Sequence, residues 1–182
     1  MKKTFYIALG IVMVLLLSGC FNKEGKADEL VKYHNSDWAT YSAKKEKSVS
    51  PKIKSFIVLA AEDDREGIEA LINESLLPSI NELVNYLEEI QLEHKEIQEL
   101  NHLQIEIVKD GYKRFQEIGE VLNSGDGEEL KQVLEKFGEY GEELDNMYEE
   151  FYDERGKLMK KYDVHWDDEY VGDEVHIKKM KK

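Results

Sequence analysis

The sequence predicts an all-α protein, an elongated antiparallel bundle of three to four helices that follows a cleaved signal peptide. Three observations favour this class. Only 2 of the 182 residues are proline, apolar side chains recur at three- and four-residue steps in four long segments, and the connections between those segments are short. A chain of 182 residues supports one globular domain, whereas two full domains would be cramped.

The charge and the cysteine content exclude two classes of protein. The chain has 39 acidic and 25 basic residues and a formal net charge of −14, which argues against a nucleic-acid partner because phosphates require a basic surface. The single cysteine, Cys20, cannot form an internal disulfide. The fold must therefore be stabilised by an apolar core.

The N-terminus has the plan of a secretory signal peptide. Lys2 and Lys3 precede the apolar run from Phe5 to Leu17, which is followed by the small residues Ser18 and Gly19. The apolar run is shorter than the ~20 residues that a membrane-spanning helix needs. We expect residues 1–19 to be removed, and an uncleaved N-terminal anchor helix is the alternative.

The segment Leu17-Ser18-Gly19-Cys20 resembles the lipobox of bacterial lipoproteins. The resemblance implies that the thiol of Cys20 is diacylglycerated and that Cys20 becomes the first residue of the mature chain. The membrane is then a partner through the acyl chains, two of which suffice for stable anchoring. This resemblance places the protein on the outer face of the bacterial plasma membrane.

Removal of residues 1–19 takes away two lysines and no acid, so the mature charge is −16. Residues 20–26 are expected to form a lipidated tether of about 20 Å when extended, followed by a helical bundle over residues 27–162. In this plan the chain is similar to small helical Gram-positive lipoproteins of uncharacterised function, with cell-wall-binding ones among them.

Periodicity and helix breakers predict the helices within residues 27–162. The segment 53–61 is ambiguous, but no second strand is available to pair with it, so we interpret it as a short buried helix. Pro78 is expected to kink or split the helix that contains it, and the turn at residues 123–127 predicts an antiparallel hairpin. The predicted long helices span residues 27–47, 64–89, 94–123 and 128–162.

The last of these helices has the most regular apolar pattern, an a/d seam of more than four heptads. Gly141 in this seam is expected to allow a close approach of another helix, and Arg155 to reach an acid on a facing helix. The aromatic residues of this helix predict a core with an exposed edge, and a groove for a peptide or glycan is the alternative. The seam consists of Leu130, Leu134, Phe137, Gly141, Leu144, Tyr148, Phe151, Arg155, Leu158 and Tyr162.

Candidate metal ligands are few. Glu99 and His102 have the Glu-x-x-His spacing of di-iron bundles, but no second such pair occurs. A stripe of His94, Gln98, His102 and Glu106 is better explained as a solvated polar face. Two further histidines, His165 and His176, lie in the C-terminal tail, residues 163–182, in which acidic residues are followed by lysines. We expect this tail to be mostly disordered. We therefore predict no metal site and no cofactor.

No nucleophile motif and no phosphate-binding loop occurs in the sequence. We therefore expect no catalytic residue and predict a non-enzymatic, lipid-anchored interaction module at the cell surface, with an unknown protein or cell-wall partner. The alternative is an immunity or superinfection-exclusion lipoprotein that blocks a toxin or incoming DNA at the membrane. An enzyme would need histidines and carboxylates that converge in a closed pocket.

Overall fold

A computed structural model describes residues 23–125, 127–168 and 175–180. The predicted signal peptide, residues 1–19, and the predicted lipidation site at Cys20 lie outside the described residues. Within the described ranges, no helix combines the length and the apolar character needed to cross a membrane.

The described chain is almost entirely helical and ends in a small two-stranded sheet. Helix α1 covers residues 23–48 and includes a π-helical stretch, Tyr33–Trp38, before its last part, Ala39–Ser48. Helix α3 covers residues 65–88 and is also interrupted by a π-helical stretch, Ile72–Leu76. The other elements are α2 (Ser50–Ala61), α4 (Lys95–Ser124), α5 (Gly127–Tyr162), β1 (Val164–Trp166) and β2 (Ile177–Lys179).

The helices form an antiparallel bundle, which confirms the predicted fold class. Helices α4 and α5 pair as the expected hairpin, since Glu96 near the start of α4 contacts Lys161 near the end of α5. Helix α3 runs antiparallel to α1 and α2. Tyr86 is hydrogen-bonded to Asp37 of α1, and Ser79, earlier in α3, is hydrogen-bonded to Lys52 of α2. The successive helices α1 and α2 thus form one column of the bundle, with a break at Val49.

The apolar core has two parts along the bundle. The first joins the end of α1, α2 and α3 to α4 from Ile105 onwards and to the first half of α5. The second joins the start of α1 and the start of α4 to the end of α5 and to both strands. Phe151 is fully buried in the second part, as its seam position predicts, and its neighbour Glu150 is exposed.

Helix breakers act where the sequence places them. Pro78 has no N–H and its ring clashes with the preceding turn of an α-helix. The π-helical stretch Ile72–Leu76 ends just before this proline, so α3 continues past it with altered winding. Gly125 terminates α4 with a φ of +74°, a left-handed conformation that glycine adopts without steric cost.

Three expectations are wrong: that residues 53–61 form a buried helix, that Gly141 allows a close helix approach, and that residues 23–26 belong to a tether. Helix α2 is largely exposed, because only Phe56 is buried while Ile57 and Val58 are 57% and 55% exposed. Gly141 lies on an exposed surface with open space beside it, so it allows no close helix approach. Residues 23–26, expected to be part of the tether, are already helical.

The prediction of a disordered tail is wrong for the residues that form the two strands. β1 and β2 pair antiparallel with Val164 opposite Lys179, and Val164 and Ile177 are buried. The side chain of Asn35 on α1 donates to the Ile177 carbonyl at 2.8 Å and accepts from the Ile177 N–H at 2.9 Å. The side-chain amide of Asn35 therefore satisfies both backbone groups of Ile177 and attaches the two-stranded sheet, here called the β-hairpin, to the bundle.

Substitution of Phe151 tests the seam. Phe151→Ala should lower the free energy of unfolding by about 3–5 kcal/mol, because a fully buried ring is replaced by a cavity. Glu150→Ala should change it by less than about 0.5 kcal/mol, because that side chain is exposed. Urea melts of the two variants measure both values, and equal midpoints would contradict the register of α5.

Substitution of Asn35 tests the attachment of the hairpin. Asn35→Ala removes both hydrogen bonds to Ile177 and should cost about 1–3 kcal/mol of local stability. Amide exchange at Ile177 should then accelerate by roughly 10- to 100-fold. The control is Ser36→Ala, at the exposed neighbouring position, for which no acceleration is expected. Unchanged exchange in Asn35→Ala would show that other contacts hold the hairpin.

Candidate functional site: an arginine among aromatic rings

The most unusual group of side chains surrounds Arg155, which occupies a seam position of α5. Phe151 and Tyr152 lie one turn earlier on the same helix, at the spacing that places side chains side by side. The π-helical stretch of α1 contributes His34 and Trp38. Strand β1 contributes Trp166. We call these six residues the Arg155 cluster: His34, Trp38, Phe151, Tyr152, Arg155 and Trp166.

The guanidinium of Arg155 is surrounded by rings. Its Cζ atom lies 4.9 Å from the ring centroid of Tyr152 and 5.1 Å from that of Trp166. The centroids of Trp38 and Phe151 follow at 5.5 Å and 5.8 Å. All four distances are within the range in which a cation is attracted by the negative face of a ring.

Arg155 does not reach an acid, contrary to the expectation for this seam position. Its residue surface is only 9% exposed, and no ion pair among the described residues includes it. Nη1 lies 3.4 Å from Nδ1 of His34, and the buried Nε has no hydrogen-bond partner in the described part of the chain. Burial lowers the pKa of Arg155 from its ordinary value.

Burial of the Arg155 guanidinium without a counter-charge is unfavourable in free energy. Burial of a charge without a counter-charge costs several kcal/mol. Cation–π contacts return about 0.5–2 kcal/mol each, and the orphaned Nε adds the desolvation penalty of an unmade hydrogen bond. An unpaired buried guanidinium therefore requires an explanation, and a ligand that supplies the missing partner is one.

His34 is held as a neutral imidazole. Its Nε2 lies 2.9 Å from the Val175 carbonyl oxygen, which can only accept, so Nε2 carries the proton. Nδ1 is then unprotonated and accepts from Arg155. Burial, together with the positive charge of Arg155, lowers the pKa of His34 to about 4. The ring also stacks on Trp38 at a centroid distance of 5.1 Å.

Two rings of the Arg155 cluster reach the surface. Tyr152 is 45% exposed and Trp166 is 43% exposed, whereas Phe151 is buried. Tyr152 also stacks on Tyr148 of the preceding turn at 6.0 Å, and the hydroxyl of Tyr148 accepts a hydrogen bond from Lys45 at 2.8 Å. The bundle therefore presents an aromatic surface directly beside a buried positive charge.

The other aromatic residues of α5 belong elsewhere. Phe137 packs with Phe56 and Phe115 in the first part of the core, and Tyr140 lies beside Phe137. The hydroxyl of Tyr162 donates to Glu96 at the opposite end of α5. Of the predicted alternatives, a core with an exposed edge describes the first half of α5. In its second half the exposed ring is that of Tyr152, which stacks on the half-buried Tyr148.

The predicted stripe of polar residues on α4 does not converge. His94 contacts the carboxylate of Glu29 at 2.7 Å, whereas the exposed His102 contacts Glu106 at 3.3 Å. Glu99 pairs with Lys95. His165 in the tail lies 3.3 Å from Asp163. In the ranges that the structure describes, no group of three or more His, Cys, Asp or Glu side chains is arranged to hold a metal ion.

Glu29 has a structural role beside His94. Its carboxylate accepts from the backbone N–H groups of Glu93 and His94, which precede α4. Because His94 is the N-cap of α4, an acid at this position also complements the positive end of the helix dipole. The contact between Glu29 and His94 therefore joins α1 to the start of α4.

A second polar group lies at the end of the bundle where α1 begins. Glu96 accepts from Lys161 at 2.8 Å and from Tyr162, and these bonds lower its pKa to about 2. A cavity of about 380 Å³ opens nearby, with charged side chains that include Lys23, Glu24 and Lys179 in its lining. Lys179 is already paired with Asp28 and Glu24, so this cavity presents compensated charges.

Sequence reasoning identified Arg155 as exceptional but missed its surroundings. His34 and Trp38 lie within the predicted first helix, residues 27–47, and Trp166 lies within the tail that is expected to be mostly disordered, so the sequence does not place them beside Arg155. A usable signal was the tryptophan content, since both tryptophans of the chain lie in the Arg155 cluster.

Comparison of the chain with family models, with curated proteins and with solved structures finds no match. The functional argument therefore depends on the residues themselves.

The pKa of His34 predicts a pH dependence of stability. As pH falls below the ordinary value of 6.5, the unfolded chain binds a proton at His34 while the folded protein does not until about pH 4. The stability contributed by neutral His34 is thus present above pH 6.5 and is lost as pH falls towards 4. The loss is roughly 3 kcal/mol, at about 1.4 kcal/mol per pH unit.

The matched variant is His34→Gln, whose amide keeps one donor and one acceptor but does not titrate. Urea melts between pH 4 and pH 7.5 should show that the native protein loses about 3 kcal/mol more than His34→Gln over this range. Parallel pH profiles of the two proteins would contradict the assignment of His34 as a buried neutral imidazole.

Proposed function

We propose that the protein is a lipid-anchored, non-enzymatic binding module on the outer face of the bacterial plasma membrane. The observation that carries the binding role is the Arg155 cluster, in which two half-exposed rings flank an unpaired buried guanidinium. The location is supported by the lipobox-like segment that ends at Cys20. The partner is a protein or a cell-wall component.

The composition of the exposed surface supports a binding role. Tyrosine, tryptophan and arginine are the residues that contribute most to binding energy when they meet in one patch. The face that contains Tyr152 and Trp166 presents the two aromatic types, and the buried guanidinium of Arg155 contacts both rings. Rings of this kind lose little conformational entropy on binding, because Tyr152 and Trp166 are already fixed by contact with Arg155.

The bonding of His34 and His94 supports a non-enzymatic role. A general base needs an unprotonated atom that faces the substrate. In His34, one ring nitrogen donates to Val175 and the other accepts from Arg155. His94 is likewise bonded to Glu29, which in turn caps α4. These groups are committed to structural bonds, so we assign them no proton transfer.

The alternative is an immunity or superinfection-exclusion lipoprotein. The formal charge of the mature chain, −16, supports it because an acidic bundle attracts a basic toxin over long distances. The two proposals differ in the expected result of deletion. Loss of an immunity protein sensitises the host to a toxin or to incoming DNA, whereas loss of a wall-binding module alters the envelope without such a challenge.

Substitution of Cys20 tests the anchor. Cys20→Ala should abolish incorporation of labelled palmitate and release the protein from the membrane fraction or leave it uncleaved, because the thiol is the acylated atom. Ser18→Ala keeps a small residue in the lipobox and should be labelled like the native protein. Palmitate labelling that persists in Cys20→Ala would rule out lipidation at this cysteine.

Paired substitutions test the binding face. The anchored protein is used to capture partners from the envelope of its own host. The double variant Tyr152→Ala/Trp166→Ala should weaken capture by about tenfold or more, because two exposed rings are removed. The control is Ile57→Ala/Val58→Ala, which removes a comparably exposed apolar pair from α2 and should leave capture unchanged. Equal capture by both double variants would argue against this face.

A further inference from the structure

We infer that the Arg155 cluster is a binding site for a sugar that carries a carboxylate, with the carboxylate on Arg155 and the sugar ring on Tyr152 and Trp166. This inference rests on the proposed binding role and adds the chemical class of the ligand. The reasons are the missing counter-charge, the orientation of His34, the two exposed rings and the charge of the whole protein.

The missing counter-charge points to an anion. Arg155 is nine-tenths buried and its Nε has no partner among the described residues. The groups around it are aromatic rings and one neutral imidazole, so the positive charge is not neutralised from within. A guanidinium binds a carboxylate through two parallel N–H donors, and this geometry gives both strength and orientation.

The fixed orientation of His34 leaves donors of Arg155 available. His34 occupies Nη1 by accepting a hydrogen bond at 3.4 Å. Because His34 is itself held by the Val175 carbonyl, it orients the guanidinium before a ligand arrives. The Nε–H group has no partner but is enclosed, so an incoming oxygen reaches it when one of the exposed rings, Tyr152 or Trp166, moves aside. His34 is in this sense a positioning residue.

The exposed rings point to a sugar as the carrier of the carboxylate. The faces of aromatic rings carry partial negative charge, and one face of a pyranose presents C–H groups of partial positive charge. Tyr152 and Trp166 are half exposed, and each centroid is about 5 Å from the guanidinium carbon. A sugar ring on this surface therefore lies within reach of Arg155 through a short acidic substituent.

The charge of the protein points to a ligand with a single carboxylate. A formal net charge of −14 repels polymers of phosphate and other polyanions over distances of about 10 Å at moderate salt. A sugar with one acidic substituent is repelled only weakly and can still pair with the single guanidinium of the Arg155 cluster.

The position of both tryptophans makes the test direct. Trp38 and Trp166 are the two tryptophans of the chain and both contact Arg155. The full chain, purified in detergent micelles, is titrated with N-acetylmuramic acid while tryptophan fluorescence is recorded. N-acetylglucosamine is the matched ligand, with the same ring and no carboxylate. We expect a saturable change with the acidic sugar and at least tenfold weaker binding of the neutral one.

Variants assign the response to residues. Arg155→Gln should reduce affinity for the acidic sugar to that of the neutral sugar, and Tyr152→Ala should weaken the binding of both. Ile57→Ala, at an exposed position on α2, should bind like the native protein. Because Arg155→Gln alters the core, circular dichroism of each variant verifies the fold, and Tyr152→Ala keeps the test decisive if Arg155→Gln is unfolded.

Specific results would overturn the inference. Equal affinity for the two sugars would remove the role of Arg155, and equal affinity for acetate and the acidic sugar would remove the role of the rings. A stronger response to an acidic peptide than to the sugar would assign the site to a protein partner. Absence of a saturable response, combined with envelope capture that still depends on Tyr152 and Trp166, would reject the sugar while leaving the proposed function intact.

Discussion

The apolar seam of α5 is the constraint on which the rest of the structure depends. With 36 residues at 1.5 Å each, α5 is about 54 Å long, whereas the 30 residues of α4 reach about 45 Å. Helix α4 reaches the end of α5, where Glu96 contacts Lys161, but one helix covers only one side of the seam. The start of α1 and the two strands pack against the same end of α5, and together with α4 they bury Phe151, Leu158 and Tyr162. The Arg155 cluster forms where these elements meet.

Much of the bundle could be predicted from the sequence because helix period and helix breakers are local properties. The turn at Gly125 and the winding change before Pro78 follow from the backbone limits of single residues. The burial of Phe151 follows from its seam position. In each case the deciding information lies within one or two turns of the residue itself.

The environment of Arg155 could not be predicted because it is assembled from distant segments. A seam position indicates that a side chain is covered, but it does not indicate which residues cover it. His34 comes from 121 residues earlier, and Trp166 comes from a three-residue strand that is too short to show a period. The attachment of that strand through the amide of Asn35 leaves no pattern in the sequence, so the hairpin was missed as well.

The π-helical stretch Tyr33–Trp38 explains how one helix serves both the core and the Arg155 cluster. A π-helical turn contains an extra residue and shifts the direction of the side chains that follow it. Tyr33, at the start of the stretch, is buried in the second part of the core, and Tyr41, after the stretch, is buried in the first part. Such stretches often occur at functional sites. Here it places His34 and Trp38 beside Arg155 without interrupting α1.

The proposed anchor fixes the height of the Arg155 cluster above the membrane. Between Cys20 and the helical residue 23 the chain can reach at most about 10 Å, and α1 rises about 20 Å from residue 23 to Trp38. An anionic bilayer repels a mature chain of charge −16, which disfavours a bundle that lies flat. The lysines nearest the anchor, Lys23, Lys26 and Lys179, lie at the end that faces the headgroups in an upright bundle. In that orientation Tyr152 and Trp166 are held roughly 20–30 Å from the bilayer, clear of the headgroups and accessible to a partner outside the membrane.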